Sequence, residues 1–198
     1  QDTIALTSEG SADLTRGADE LGASESLSNL SDIAAAKGVR DTTAGAITLD
    51  AADDAATIGA LVAAVSANDL DRGMFLASLS GQLRVASDVV ELMRMPVLSR
   101  FLDAKGNQLR GLAVNEIGRA MATAALGHGL DAMAAQLATL GLAEVAAGVR
   151  ELHTSDALLD ARDDAAAAGM RDIAAGLAEV SAAQAHAAAT RRLADAGM

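Results

Sequence analysis

The residues that precede Pro96, the only proline of the 198-residue chain, carry the pattern that most constrains the fold. Between residues 50 and 95 apolar side chains recur at alternating spacings of four and three, which places them on one side of an α-helix. These residues are Ile58, Val62, Val65, Leu76, Leu79, Leu83, Ala86, Val90 and Met93. At 1.5 Å per residue such a helix would be about 69 Å long. We expect its length to set the length of the domain.

Three further segments have helical patterns of similar length. We predict helices over residues 1–37, 108–152 and 155–197, with connections at residues 38–49 and 96–107. Lys37-Gly38 and Lys105-Gly106 are typical of helix ends, because a cation favours the last carbonyl groups and glycine tolerates the left-handed conformation that follows. Long helices of nearly equal length bury their apolar sides together. The sequence therefore predicts an all-α fold, an elongated up-down-up-down four-helix bundle that forms a single domain over residues 1–198.

The apolar pattern changes register at two glycine-rich places. The first change is near Gly22, and the second is at Gly127-His128-Gly129. We interpret both as bends, because bends in helices occur where glycine interrupts the pattern. A complete break at residues 127–129 would give five helices instead of four.

The composition supports helices and restricts the classes of partner. Apolar residues make up 51% of the chain, but alanine dominates them and only 1% of the residues are aromatic, so β-strand propensity is low. The net charge of −12 argues against nucleic acids and anionic lipid surfaces as partners, because an acidic surface repels phosphates and anionic headgroups. The longest uncharged runs, residues 55–68 and 132–143, are shorter than a membrane-spanning helix needs, and we predict no integral membrane segment.

Candidate metal ligands lack the spacing that a metal centre needs. Helical bundles hold paired metal ions through Glu-x-x-His motifs, and the sequence contains none. The nearest arrangements, His128 with Asp131 and His153 with Asp156, are isolated pairs. Cysteine is absent, which removes thiolate chemistry and disulfides. We predict no metal, no cofactor and no enzymatic activity.

Two charged residues interrupt the apolar pattern of residues 50–95. They are Asp69 and Arg72. Their surroundings resemble a calcium loop, but Gly73 follows Asp69 too closely and no glutamate stands at the end of the motif. We therefore predict that Asp69 and Arg72 form a polar layer that fixes helix register, or a short solvent-facing break.

The least polar part of the chain is residues 120–149, where Asp131 and Glu144 are the only charged residues. Small residues there would let a partner helix approach closely. The candidate interface consists of Met133, Leu137, Leu140 and Gly141. An apolar segment of this kind is typical of a buried core helix or of a subunit contact.

The sequence favours a non-enzymatic binding or assembly protein. We expect it to form a homo-oligomer or to bind another helical protein. The alternative is a protein that binds lipid surfaces conditionally through residues 120–149. The absence of tryptophan, tyrosine and lysine from that segment weakens this alternative.

Overall fold

The structure, a computed structural model, describes residues 2–195, without the side chains of Asp2 and Ala194. Over these residues the chain forms two helices, α1 (Asp2–Leu92) and α2 (Pro96–Asp195). The all-α prediction is confirmed. The prediction of four helices in one chain is not confirmed, since the described residues form two. The predicted domain included Gln1 and residues 196–198, and its last helix included residues 196–197. These residues lie outside this description.

The chain reverses direction at residues 93–95, as the position of Pro96 predicted. The Met95 amide donates to the Val90 carbonyl at 3.2 Å, and the Arg94 amide donates to the Glu91 carbonyl at 2.9 Å. This pair of bonds is a Schellman motif, which satisfies the last carbonyl groups of α1. Arg94 adopts the left-handed conformation with φ of 58°. Pro96 then occupies the first position of α2, where the lack of an amide hydrogen costs nothing.

The predicted connections at residues 38–49 and 96–107 are wrong, because these residues are helical. Residues 127–129, where we expected a bend or a break, also lie within α2. Gly38 and Gly106 do not adopt the left-handed conformation that a helix end would use. Their small size serves the contact with the facing helix instead.

The apolar register changes do not mark breaks in the helices, and the bends that we predicted there stay predictions. Within each continuous helix the apolar positions move from one side of the helix to the other. Before Gly22 they occupy one side, for example at Leu14 and Leu21, and after it the other, at Leu27 and Leu30. Side-chain placement changes there while the backbone hydrogen bonding continues.

The chain divides into two compact units, each built from a segment of α1 and a segment of α2. Unit 1 combines Gln1–Ala44 with Glu144–Met198, and unit 2 is Gly45–Ala143. The prediction that residues 1–198 fold as a single domain stays a prediction.

Unit 1 is held together by small residues that face each other. A methyl group placed on Gly10 would lie 2.8 Å from the Gly176 carbonyl oxygen, and one on Gly38 would lie 2.8 Å from the Gly148 carbonyl oxygen. Ser31 lies between these two levels, and its hydroxyl is 2.8 Å from the Ser155 hydroxyl. The two backbones approach so closely because no side chain separates them.

Unit 2 follows the same rule. Each step of seven residues along α1 is matched by a step of seven back along α2. The facing pairs are Gly45 and Gly141, Gly59 and Gly127, Ser66 and Ala120, Gly73 and Ala113, Ser80 and Gly106, and Ser87 and Ser99. The serine hydroxyls donate to carbonyl oxygens of the opposite helix at 2.7 to 2.9 Å. Buried polar groups are thereby satisfied.

We call these seven-spaced residues the central row of each helix. In α1 the row is Gly10, Gly17, Ser24, Ser31, Gly38, Gly45, Ala52, Gly59, Ser66, Gly73, Ser80 and Ser87. In α2 it is Ser99, Gly106, Ala113, Ala120, Gly127, Ala134, Gly141, Gly148, Ser155, Arg162, Gly169, Gly176 and Ala183. Most of the described buried residues belong to this row, and no leucine, isoleucine or methionine is among them. The larger apolar side chains therefore flank the helix contact instead of filling it.

Candidate interaction surface

We define two sides of each unit by where residues lie relative to the central row. Residues three and six places after a central residue lie about 60° and 120° to one side of it, at 100° per residue. Residues one and four places after it lie on the other side. Three interhelical ion pairs use the first side: Arg16 with Asp172, Lys37 with Glu151, and Arg119 with Asp69. We call it the ion-pair side and the other the opposite side.

In unit 2 the ion-pair side is mostly apolar. From α1 it carries Ile58, Val62, Val65, Leu76, Leu79, Leu83 and Val90, and from α2 it carries Leu98, Leu102, Leu109, Leu112, Leu126, Leu130, Met133, Leu137 and Leu140. We call this set the unit 2 apolar face. Residues three places after the central row are half-buried against the other helix, such as Val62 and Leu130. Most of those six places after it are 40% to 66% exposed.

The apolar pattern that we predicted for residues 50–95 is the α1 half of this face. Ile58 and Val65 are half exposed, whereas Ser66 between α1 and α2 is buried. The pattern thus marks a helix side that α2 covers only at its edge. Ordinary protein surfaces expose single, scattered apolar residues, whereas the unit 2 apolar face exposes many neighbouring ones.

A charged layer crosses the unit 2 apolar face near its middle. Asp69 is buried, with 6% exposure, and its carboxylate lies 3.6 Å from the Arg119 guanidinium. Arg119 also contacts Glu116 at 3.4 Å. Arg72 lies on the same side and is exposed, and among the described residues it forms no ion pair. The layer therefore holds two acids and two arginines.

The candidate site residues fall in three different places. Asp69 and Arg72 lie in this layer, where Arg119 is the partner of Asp69. Met133, Leu137 and Leu140 lie on the unit 2 apolar face. Gly141 belongs to the central row, where a methyl group would lie 2.9 Å from the Gly45 carbonyl oxygen, so it contacts α1 of its own chain.

Arg119, Leu112 and Leu126 were not predicted as site residues, although all three lie in one predicted helix, residues 108–152, because the side of that helix that contacts α1 was not identified. The recurrence of glycine, alanine or serine every seven residues was visible in the sequence. Such a row identifies the contact side of a helix, and the apolar residues beside it then identify the exposed face.

Unit 1 distributes most of its larger side chains the other way, although Leu27, Leu30 and Leu158 lie on its ion-pair side. Its ion-pair side carries the charged pairs of Arg16 with Asp172 and Lys37 with Glu151. Its opposite side is apolar and includes the half-buried Leu14, Leu21, Leu152, Leu159, Ile173 and Val180. Met170 and Leu177 are exposed there.

Unit 2 also contains a polar depression on its opposite side. It has a volume of about 230 Å³ and is lined by Ser80, Arg84, Asp88, Asp103, Gly106, Asn107 and Arg110. Opposite charges are balanced in it, and the four charged side chains are exposed. Within residues 2–195 no three histidine or acidic side chains come close enough to hold a metal ion together. The predicted absence of a metal and a cofactor stays a prediction.

One apolar window of α2 bears on the membrane prediction. Within Pro96–Leu193 an 18-residue window reaches a mean hydropathy of 1.4 with no more than two charged residues, and 17% of it is buried. By length and composition alone this window could cross a membrane, although core helices of soluble proteins also meet this test. The prediction of no integral membrane segment stays a prediction.

Comparison with known proteins gives no relative from which a function could be transferred. No protein family, curated protein or solved structure matches the chain.

Proposed function

We propose that the protein is a non-enzymatic assembly protein whose unit 2 apolar face pairs with the same face of a second copy. Two helices from each copy would then form a four-helix bundle, the arrangement that the sequence predicted within one chain. The observation that carries this proposal is the row of half-exposed apolar side chains along one side of unit 2, which the charged layer interrupts near its middle. Covering this row removes apolar surface from water, which stabilises the dimer by about 25 cal/mol for each Å² that is buried.

The charged layer favours a second copy of this chain over an unrelated protein as the partner. Asp69, Arg72, Glu116 and Arg119 contain equal numbers of acids and bases, so the layer is complementary to itself. Asp69 lies near the middle of the α1 segment of unit 2, Gly45 to Leu92. A two-fold axis through this level would place each layer opposite its equivalent, as isologous contacts require. The unpaired Arg72 would then find a carboxylate in the other copy.

The experiment compares two leucines of α2. Leu126, on the unit 2 apolar face, is 66% exposed, and Leu142, on the opposite side, is 61% exposed. Leu126→Glu is expected to convert dimers into folded monomers, because it would bury a charge in the dimer contact, while Leu142→Glu keeps the dimer. Light scattering gives the mass relative to the 19.8 kDa chain, and circular dichroism checks that both variants remain helical. A monomeric wild-type protein, or equal behaviour of the two variants, would refute the proposal.

The alternative function is lipid binding through residues 120–149. It is supported by the apolar window of α2 and by its low burial. Leu142→Glu distinguishes this function from assembly, because the segment would lose affinity for vesicles while the mass in solution stays that of a dimer. Vesicle binding that is unchanged in Leu142→Glu would contradict the alternative.

A further inference from the structure

The turn between α1 and α2 exposes apolar side chains in several directions. Leu92 is 85% exposed and Val97 is 83% exposed, and Phe101 is also more than half exposed. Met95, Pro96, Val97, Leu98 and Phe101 line an open apolar depression at the same place. Leu92, Val97 and Phe101 lie outside both sides defined above, so pairing through the unit 2 apolar face would leave them in water.

The charge of this turn differs in sign from that of the whole protein. Residues 92–102 contain Arg94 and Arg100 and no acid, whereas the chain carries −12. Lys105 adds a third cation, and its ammonium group lies 5.9 Å from the centre of the Phe101 ring. The nearest acids, Glu91 and Asp103, flank this segment. The turn is thus an apolar tip with positive charge beside it.

We propose that residues 92–101, which we call the tip, insert into the surface of a membrane that contains anionic lipids. A folded partner covers one side of a protrusion, whereas the fluid interface of a bilayer can enclose a tip whose apolar side chains point in several directions. Arginine side chains beside such a tip extend to the headgroups, where they meet negative charge. The tip side chains that carry this proposal, Leu92, Val97 and Phe101, lie outside the unit 2 apolar face, so lipid contact through them does not depend on dimer formation.

The two phenylalanines of the chain give a matched pair of reporters. Phe101 lies at the tip and Phe75 lies on the outer side of α1, and both are exposed, at 57% and 64%. The protein has no tryptophan, so Phe101→Trp and Phe75→Trp each introduce a single fluorophore. On addition of phosphatidylserine-containing vesicles, the emission of the Phe101→Trp variant is expected to shift to shorter wavelength and that of the Phe75→Trp variant to stay unchanged.

Binding to the same vesicles in a flotation assay tests the contributions of the apolar and the positively charged side chains separately. Val97→Gln is expected to weaken partitioning about tenfold, because it removes an apolar side chain from the lipid. Val114→Gln, at an exposed valine of α2 outside the tip, should have no effect. Arg94→Gln is expected to weaken binding about fivefold, and vesicles of phosphatidylcholine alone should bind less well than anionic vesicles.

Four results would overturn the proposal. One is that neither reporter shifts, and another is that both shift equally. The third is a blue shift of the Phe101→Trp variant that depends on protein concentration without vesicles, which would show that a second copy covers the tip. Binding lost in Leu142→Glu but kept in Val97→Gln would assign lipid contact to residues 120–149 instead.

Discussion

Gly17 and Gly169 face each other across unit 1 with no space for a side chain between their backbones. A methyl group on Gly17 would lie 2.6 Å from the Gly169 carbonyl oxygen, and one on Gly169 would lie 2.8 Å from the Gly17 carbonyl oxygen. The close approach is thus reciprocal. It explains why glycine, which weakens isolated helices, occurs so often inside two long ones.

The first prediction compares two glycines of α1. Gly17→Ala is expected to lower the free energy of unfolding by about 1–3 kcal/mol, because the methyl group forces two backbones apart. A methyl group on Gly22 would meet no facing atom within 4 Å, so Gly22→Ala should raise it by about 0.5–1 kcal/mol through helix propensity. Urea unfolding followed by circular dichroism measures both. Equal shifts in the two variants would contradict the pairing of Gly17 with Gly169.

The second prediction concerns Leu83, which is half-buried on the unit 2 apolar face. Leucine-to-alanine changes in a full core cost about 2–5 kcal/mol, so Leu83→Ala should cost about 1–2 kcal/mol in the monomer. The cost should rise with protein concentration, because the dimer buries the side chain further. Leu142→Ala is the control, since Leu142 is 61% exposed on the opposite side and should change stability by less than about 0.5 kcal/mol.

These positions also show how far the sequence alone could predict the fold. Helical periodicity was visible at Leu79 and Leu83, and Pro96 marked the only reversal among the described residues. The number of helices could not be predicted from Lys37-Gly38 or Lys105-Gly106, because glycine serves equally a helix end and a close helix contact. What distinguishes the two uses is the backbone opposite the glycine, which is distant in sequence.

The α1 half of the unit 2 apolar face could be predicted from the sequence. The α2 residues that meet it could not. Asp69 was visible as an interruption of the apolar pattern, but Arg119 lies 50 residues away, and the facing central rows determine that the two meet. Small residues recur every seven positions in both helices, so α1 and α2 could be aligned in several registers. Apolar periodicity alone does not select one of them. Ion pairs such as Arg119 with Asp69 favour one of them.

The third prediction concerns the conformation of Arg94 at the turn. A side chain in the left-handed region costs about 1–2 kcal/mol relative to helical geometry, whereas glycine adopts it freely. Arg94→Gly should therefore raise the free energy of unfolding by about 1 kcal/mol. Arg100→Gly, within α2, should lower it by about 1 kcal/mol. A loss of stability in Arg94→Gly would mean that the Arg94 side chain contributes more than its backbone costs.

The fourth prediction tests the charged layer in the dimer. Arg72→Glu would leave three acids and one arginine in a layer that meets its equivalent, so like charges would repel across the contact. We expect the dimer dissociation constant to rise at least about tenfold, with less effect at high salt. Arg84→Glu makes the same change in charge at an exposed arginine on the opposite side of unit 2, and it should leave the constant within about twofold. Sedimentation at low and high salt measures both variants. If Arg72→Glu and Arg84→Glu weaken the dimer equally, total charge and not the layer controls assembly, and Asp69, Arg72, Glu116 and Arg119 have no role in pairing the two copies.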